Sequence, residues 1–400
     1  MKHRKVATNP IHTPKTALLG VHAPYNRIKN IQSYYEEFVN LVRSNELAHD
    51  EEVYMKIRDV NPVYFLTKGK LQELKDFCEK NEIEQLIISE PLSSQQEKNL
   101  SDYLGCNVCD RTQLILEIFE KHAHSAEGKT QVEIAMLRHQ KTRLAGKGIH
   151  MSQQSGITGK IGGPGETAKE RETRDINQQI STLKKRLEKL KKVRETQRKN
   201  RFRTNVPNIC LIGYTNAGKS TILNTLTKSK VLAEDKLFAT LDTTTRELYI
   251  GGKKKGILSD SVGFIQQLPH NLIDAFKSTL DELQYADLLL HVIDISDPNW
   301  EMHTRIVNDI LQDLNIEKDI LYIFNKSDKI DGIIPKPLFD TKPDIEQDSE
   351  PHDSESNLLL EQVKRYNPYV LTSAKSKDGV KDLVNYLSTW KRSNKQKNKG

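Results

Sequence analysis

Gly213-Tyr214-Thr215-Asn216-Ala217-Gly218-Lys219-Ser220-Thr221 sets two glycines, a lysine and two hydroxyls in the spacing G-x-x-x-x-G-K-[ST]. Glycines at 213 and 218 let the backbone curl so that successive N–H groups point inward, as a run of phosphate oxygens requires. A helix starting near Lys219 adds its positive end. Lys219 is expected to neutralise the charge of the β- and γ-phosphates, and the Ser220 hydroxyl to ligate Mg²⁺. A structural glycine turn can match such a pattern by chance. Here the apolar run NICLIG (208–213) precedes it, and Ile222, Leu223 and Leu226 follow at helical spacing, which is the context that phosphate binding needs.

Three further motifs follow in order. Asp260-Ser261-Val262-Gly263 closes the apolar run GILSD (256–260). Asp260 is placed to hold magnesium through water, and the Gly263 N–H to bond a γ-phosphate. Asn325-Lys326-Ser327-Asp328 closes DILYIF (319–324). The Asp328 carboxylate can accept from guanine N1–H and N2–H₂ together, whereas adenine offers neither donor there. Ser373, Ala374 and Lys375 follow PYVLT (368–372), with the Ala374 N–H expected on guanine O6. Structural turns explain any one of these motifs but not four at the carboxyl ends of successive strands, where open α/β sheets bind ligands.

Between the first two motifs lies FATLDTTTR (238–246), where a switch loop belongs. Phe238, Ala239, Thr240, Leu241 and Asp242 are expected to line the nucleotide. A threonine of this loop ligates magnesium and senses the γ-phosphate; Thr240 is the first choice, with Thr243 and Thr244 as rivals. The catalytic set is then Lys219, Thr240 and Gly263, and the metal set Ser220, Thr240 and Asp260. Phe264 stands where Ras-like proteins place the glutamine that orients water, so hydrolysis of GTP to GDP is expected to be slow until a partner or rearranged loop supplies the missing group. No arginine finger is identifiable, Arg246 being the nearest candidate.

The elements that must carry these residues fall into several parts. Four hundred residues suit two or three domains. Residues 1–17 read as a disordered basic tail. From 18 to 110, short apolar runs (LLGV, VYFL, LIIS and CNVCD) alternate with helical segments at 34–44, 69–81 and 93–104, a small α/β subdomain with a mainly parallel sheet. Residues 111–144 read as one continuous helix. After it comes AGKGIHMSQQSGITGKIGGPGE (145–166), too glycine-rich to form a core. From 167 a second long helix carries Ile176, Ile180, Leu183, Leu187 and Leu190 on one seam. Two helices with such a connection fold back as an antiparallel hairpin, 111–204. Asn205-Val206-Pro207 opens a doubly wound domain, 205–391, and a lysine-rich tail closes the chain at 392–400.

Charge is segregated. Lys184–Arg203 holds eleven Lys/Arg against two Glu, whereas 331–358 holds eight Asp/Glu against two Lys. The first stretch suits a polyanion, with a solvated coil face as the bland alternative, and the second a solvated loop inserted between the guanine motifs. No apolar stretch is long enough for a membrane segment, and no apolar run follows the basic N-terminus, so a cytoplasmic location is expected. Cys106 and Cys109 form a lone CxxC without a second ligand pair, so the four cysteines read as reduced thiols rather than a zinc site.

The whole chain from about Gly20 to Leu387 resembles the HflX family of ribosome-associated GTPases. The resemblance rests on DRTQLILEIFEKHAHSAEGKTQVEIAMLRHQKTRL (110–144), GGPGETAKERETR (162–174), GYTNAGKST, FATLD, DSVGFIQQLPHNLIDAFKSTL and NKSD. It implies a P-loop GTPase domain preceded by a small α/β domain and a long antiparallel helical hairpin, with Mg²⁺ as cofactor and GTP and GDP as substrate and product. It further implies binding to the large (50S) ribosomal subunit and its rRNA, with the hairpin loop reaching toward the peptidyl-transferase region and the protein a monomer off the ribosome. Splitting or rescue of stalled ribosomes is the associated activity. The alternative is a GTP-switched RNA-binding factor for large-subunit assembly or dormancy. Lys147, His150, Lys160 and the 184–203 cluster are the candidate rRNA contacts. The chain departs from the family pattern at Thr243, where relatives usually carry proline, and at Gly162, where an arginine often precedes GPGE.

Overall fold

A computed structural model describes residues 14–26, 31–146, 168–202, 206–227, 237–238, 244–266, 282–330 and 354–392. The chain divides into two compact units, Met1–Ile115 with Gln140–Thr173, and Leu116–His139 with Arg174–Gly400.

In the first unit, β1 (Thr16–His22), β2 (Glu51–Lys56), β3 (Gln85–Ile88) and β4 (Asn107–Cys109) form a four-stranded sheet of order β2-β1-β3-β4. All its pairings are parallel. Helices α1 (Ile31–Ser44), α2 (Lys68–Lys80) and α3 (Ser94–Leu104) alternate with the strands. Local chemistry sets α3: Ser93 and Gln96 close a reciprocal capping box, and Gly105 ends the helix in the left-handed region. Two expectations change. VYFL (63–66) is not a strand but a turn closed by the Asn61–Phe65 bridge. The second strand is instead Glu51–Lys56, an edge strand whose half-exposed, charged pattern hides it from a search for apolar runs.

The segment 111–144 is also not one helix. It divides into α4 (Arg111–His122) and α5 (Ala126–Gly146). The cause is Ser125, whose hydroxyl accepts from the Gly128 N–H at 2.9 Å and so starts a new helix. Helix α6 (Ala168–Phe202) returns antiparallel to α5, since Arg194 near its end pairs with Glu127 at the start of α5 (3.3 Å). Of the expected seam, Ile176 and Ile180 are buried, while Leu183, Leu187 and Leu190 are half-buried. The segment 145–166 lies outside the described residues, apart from the end of α5.

In the second unit, β5 (Asn208–Gly213), β6 (Thr245–Ile250), β7 (Lys253–Asp260), β8 (Leu288–Asp294), β9 (Asp319–Asn325) and β10 (Tyr369–Leu371) form a sheet of order β10-β9-β8-β5-β7-β6. Only β6, paired with β7, runs antiparallel. Helix α7 (Lys219–Thr227) and the helices Trp300–Asp313 and Val380–Thr389 supply the apolar faces that cover the sheet. The acidic insertion is shorter than expected as a loop, because a helix already begins at Ser354 and runs to Val363; 331–353 lie outside the described residues, as does most of the expected helix at 271–283. Strands β5, β7, β9 and β10 deliver the four motifs to one end of the sheet. All four cysteines are free thiols and buried, and Cys106 lies against Cys78. Among the described residues no helix is long and apolar enough to cross a membrane.

Candidate functional site

The phosphate loop leaves β5 through Gly213, whose φ of +146° and lack of a side chain are both required: a Cβ would sit 2.2 Å from the Val292 carbonyl oxygen. The loop then curls through Asn216, exposed and at φ +59°, and through Gly218 at φ +94°. Lys219 folds back into the concavity, donating to the carbonyls of Tyr214 (2.7 Å) and Gly213 (3.2 Å). Its ammonium group is thus already inside the loop that the phosphates would fill. Burial lowers its pKa to about 8, with the Asp260 carboxylate opposing the shift and the Lys326 ammonium adding to it.

Ser220 donates to the Asp260 carboxylate at 2.7 Å, and that carboxylate is fully buried at the end of β7. A hydroxyl and a carboxylate, both hard oxygen ligands touching beside the phosphate loop, fit a magnesium ion shared with phosphate oxygens. Thr221 follows within the first turn of α7. Ser261 and Val262 are buried, and Gly263 passes so close to the phosphate loop that a Cβ would lie 2.8 Å from Thr215 Cγ2 and 3.0 Å from Lys219 Nζ. Phe264 extends this contact, its N–H donating to the Gly213 carbonyl (3.2 Å) and its carbonyl accepting from the Thr215 N–H (2.7 Å). Its side chain is buried and has no means of orienting water.

The motifs expected to recognise the base join the phosphate loop through Asn325. Its amide donates to the Ala217 carbonyl (2.8 Å) and its oxygen accepts from the Ala374 N–H (3.0 Å). One buried side chain therefore fixes three loops that are distant in sequence. The Ala374 N–H, expected to face a guanine oxygen, is engaged by Asn325. Lys326 adopts a left-handed conformation (φ +63°), Ser327 is buried with its N–H on the Thr372 carbonyl (3.3 Å), and Asp328 is exposed on a short 3₁₀ turn. Ser373 is buried and bonded to the Asp378 carbonyl, whereas Lys375 is exposed. Of the switch segment, Phe238 is buried with its ring edge-on to Phe119 of α4 (4.6 Å between centroids). Ala239, Thr240, Leu241, Asp242 and Thr243 lie outside the described residues. Thr244 uses its carbonyl to accept the Asp260 N–H (2.9 Å), which ties the start of β6 to the end of β7.

Several contributors carry no motif. Asp294 ends β8 and pairs with Lys326 at 2.6 Å. His303 stacks flat on Tyr214, with ring centroids 3.7 Å apart and planes 8° apart, while the Tyr214 hydroxyl accepts from the Gln266 N–H (2.7 Å). Asp378 holds the last loop through its carbonyl. Only Asp294 left a trace in the sequence, as a polar residue ending an apolar strand.

The buried lysine gives the site a pH signature. Binding phosphate requires charged Lys219, and bound phosphates raise its pKa. Below about pH 8 the lysine is already protonated, so affinity is flat; above it, binding must first recover a proton. Nucleotide affinity is expected to fall by up to tenfold per pH unit between pH 8 and 9, measured with a fluorescent guanosine nucleotide. Lys219→Met should bind weakly with no such slope, and a slope that survives this substitution would place the titrating group elsewhere.

Three family descriptions match this chain: GTP-binding GTPase N-terminal over residues 32–120, GTP-binding GTPase Middle Region over 122–201, and 50S ribosome-binding GTPase over 208–326. GTPase HflX of Caldanaerobacter subterraneus subsp. tengcongensis is 44% identical over 75% of this chain and 71% of its own length. GTPase HflX of Lacrimispora saccharolytica is 39% identical over 90% and 79%. That of Escherichia coli is 39% identical over 79% and 74%. Among solved structures, the SsGBP–GDP complex aligns over 94% of this chain and 97% of its own, with 27% identity and a TM-score of 0.50. Sequence similarity across all three regions, a phosphate loop built as described and a guanine motif locked onto it converge on one assignment: the chain belongs to the HflX family of GTPases.

Proposed function

We propose that this GTPase is a cytoplasmic ribosome factor that binds the large (50S) subunit in its GTP form, splits or rescues stalled ribosomes, and is released by hydrolysis. The observation that carries the reading is the pairing of a guanine-nucleotide pocket with a basic helix. Lys184, Lys185, Arg186, Lys189 and Lys192 of α6 are exposed, in a stretch with eleven cationic residues and two Glu. Such a surface gains affinity by releasing the counterions of RNA phosphates and reads no sequence. The family description for 208–326 names 50S ribosome binding, which points to the same polyanion. The parts assigned to this task are an N-terminal α/β subdomain (18–110), a helical hairpin (111–204) whose loop 145–166 extends the contact through Lys147, His150 and Lys160, and a G domain (205–391).

Within the pocket, Gly213–Thr221 wraps the phosphates, Lys219 and the Gly263 N–H contact the γ-phosphate, and Asp328 recognises guanine beside the loop Ser373–Lys375. Ser220, Thr240 and Asp260 would hold Mg²⁺, which supplies charge neutralisation at the β- and γ-oxygens when bound. Phe264 supplies no water-orienting group, so unaided turnover is slow and the ribosome stimulates it. Off the ribosome the protein is a monomer.

Sedimentation of 70S ribosomes with the protein and GTP, GDP or a non-hydrolysable analogue tests this reading. Expected are conversion of 70S to subunits with GTP, retention on 50S with the analogue, salt-sensitive binding, and GTP turnover raised by ribosomes. Stable 50S binding without splitting would favour a GTP-switched factor for subunit assembly or dormancy. Equal behaviour in all three nucleotide states would overturn both.

A further inference from the structure

We propose that Asp294 is a positioning residue of the guanine-recognition turn, holding Lys326 in place and thereby setting the affinity for the guanosine end of the nucleotide. The proposal rests on the assignment of Asn325–Asp328 as that turn.

Three features support it. Asp294 lies directly opposite Asn325 in the parallel register of β8 and β9, and the ladder continues one step further through the Ile295 N–H on the Asn325 carbonyl (3.1 Å). Its carboxylate is fixed at both oxygens: Oδ1 accepts from the Ser296 N–H (3.1 Å) and the Ser296 hydroxyl (2.6 Å), and Oδ2 meets Lys326 Nζ at 2.6 Å. Both side chains of the pair are 20% exposed, so water screens the attraction only in part. Lys326 needs such a partner, because its left-handed backbone, uncommon for a residue with a Cβ, marks the switch from strand to turn. Asp294 therefore holds the head of Lys326 at the point where the chain leaves the strand for the turn.

Because the effect is exerted at the base end, it should not depend on how many phosphates the nucleotide carries. Asp294→Asn is expected to weaken GTP and GDP binding by a common factor of about tenfold, seen chiefly as faster release. In a Lys326→Ala background the same change should cost less than about twofold, because the interaction it removes is already gone. Ser296→Ala, which loosens the carboxylate but keeps the pair, should give a smaller common loss of about twofold to threefold. A loss that is equal in both backgrounds, that grows with phosphate number, or that is absent altogether would overturn the proposal. If Asp294→Asn unfolds the protein, Ser296→Ala with and without Lys326→Ala decides the matter by the same comparison. Failure of the turn assignment reads differently: guanine preference would survive Asp328→Asn whatever the Asp294–Lys326 coupling.

Discussion

Asp328→Asn should lower GTP affinity by about 10²–10³-fold and raise affinity for xanthosine triphosphate by a comparable factor. Guanine offers two adjacent donors, N1–H and N2–H₂, and a carboxylate accepts both. An amide at the same place presents one acceptor and one donor, so it meets the guanine amino group with a like group and leaves buried polar atoms unpaired. Xanthine has a carbonyl oxygen at position 2 and matches the amide. Asp328 stands exposed on its turn while Asn325 beside it is spent on the protein itself, so the substitution alters what a base meets without disturbing the joint between loops. Competition binding with GTP, xanthosine triphosphate and ATP measures the outcome, and an unchanged order of affinities would remove the basis for a guanine site.

The parts of this pocket that could be read from sequence are those whose chemistry is local. Gly213, Gly218, Lys219 and Ser220 act through the backbone shape of one short loop, so their spacing alone carries the information. Strands β5 and β9 were legible because their central residues are buried in the sheet and apolar. Edge strand β2 was not, since Glu52, Tyr54 and Lys56 are exposed and Glu51 is half-buried, which breaks the apolar pattern. The break at 123–125 was missed because a single serine cap interrupts an otherwise continuous helical sequence. Asp294, His303 and Asp378 could not be assigned roles in advance. Each acts through a partner on another element, and such pairs become visible only once β8, β9 and the helix Trp300–Asp313 are in place.

Gly218→Ala should damage stability and nucleotide binding together. At φ +94° any side chain is strained, at a cost of about 1–3 kcal/mol. The added Cβ would also lie 2.2 Å from Asn325 Nδ2. Asn325 is 2% exposed and must leave its bonds to Ala217 and Ala374 to make room, which leaves buried groups unpaired at about 1–3 kcal/mol. A stability loss of roughly 3 kcal/mol and a loss of nucleotide affinity of at least about 10²-fold are expected together. Denaturant unfolding and nucleotide titration measure them. Gly69→Ala is the control, since nothing lies within 4 Å of its added Cβ and the residue sits in the first turn of α2. If the two variants behave alike, Asn325 is not the joint described above.

The switch segment has its two ends pinned to different bodies of packed side chains. Phe238 is wedged against Phe119 on α4, and Thr244 is bonded to the backbone of Asp260. Phe238 and Thr244 stand only a few residues apart in the sequence, so a single short stretch of chain leads from the packing of α4 to the backbone of the aspartate that closes β7. Removing the Phe119 ring therefore frees the Phe238 end and leaves the Thr244–Asp260 bond in place.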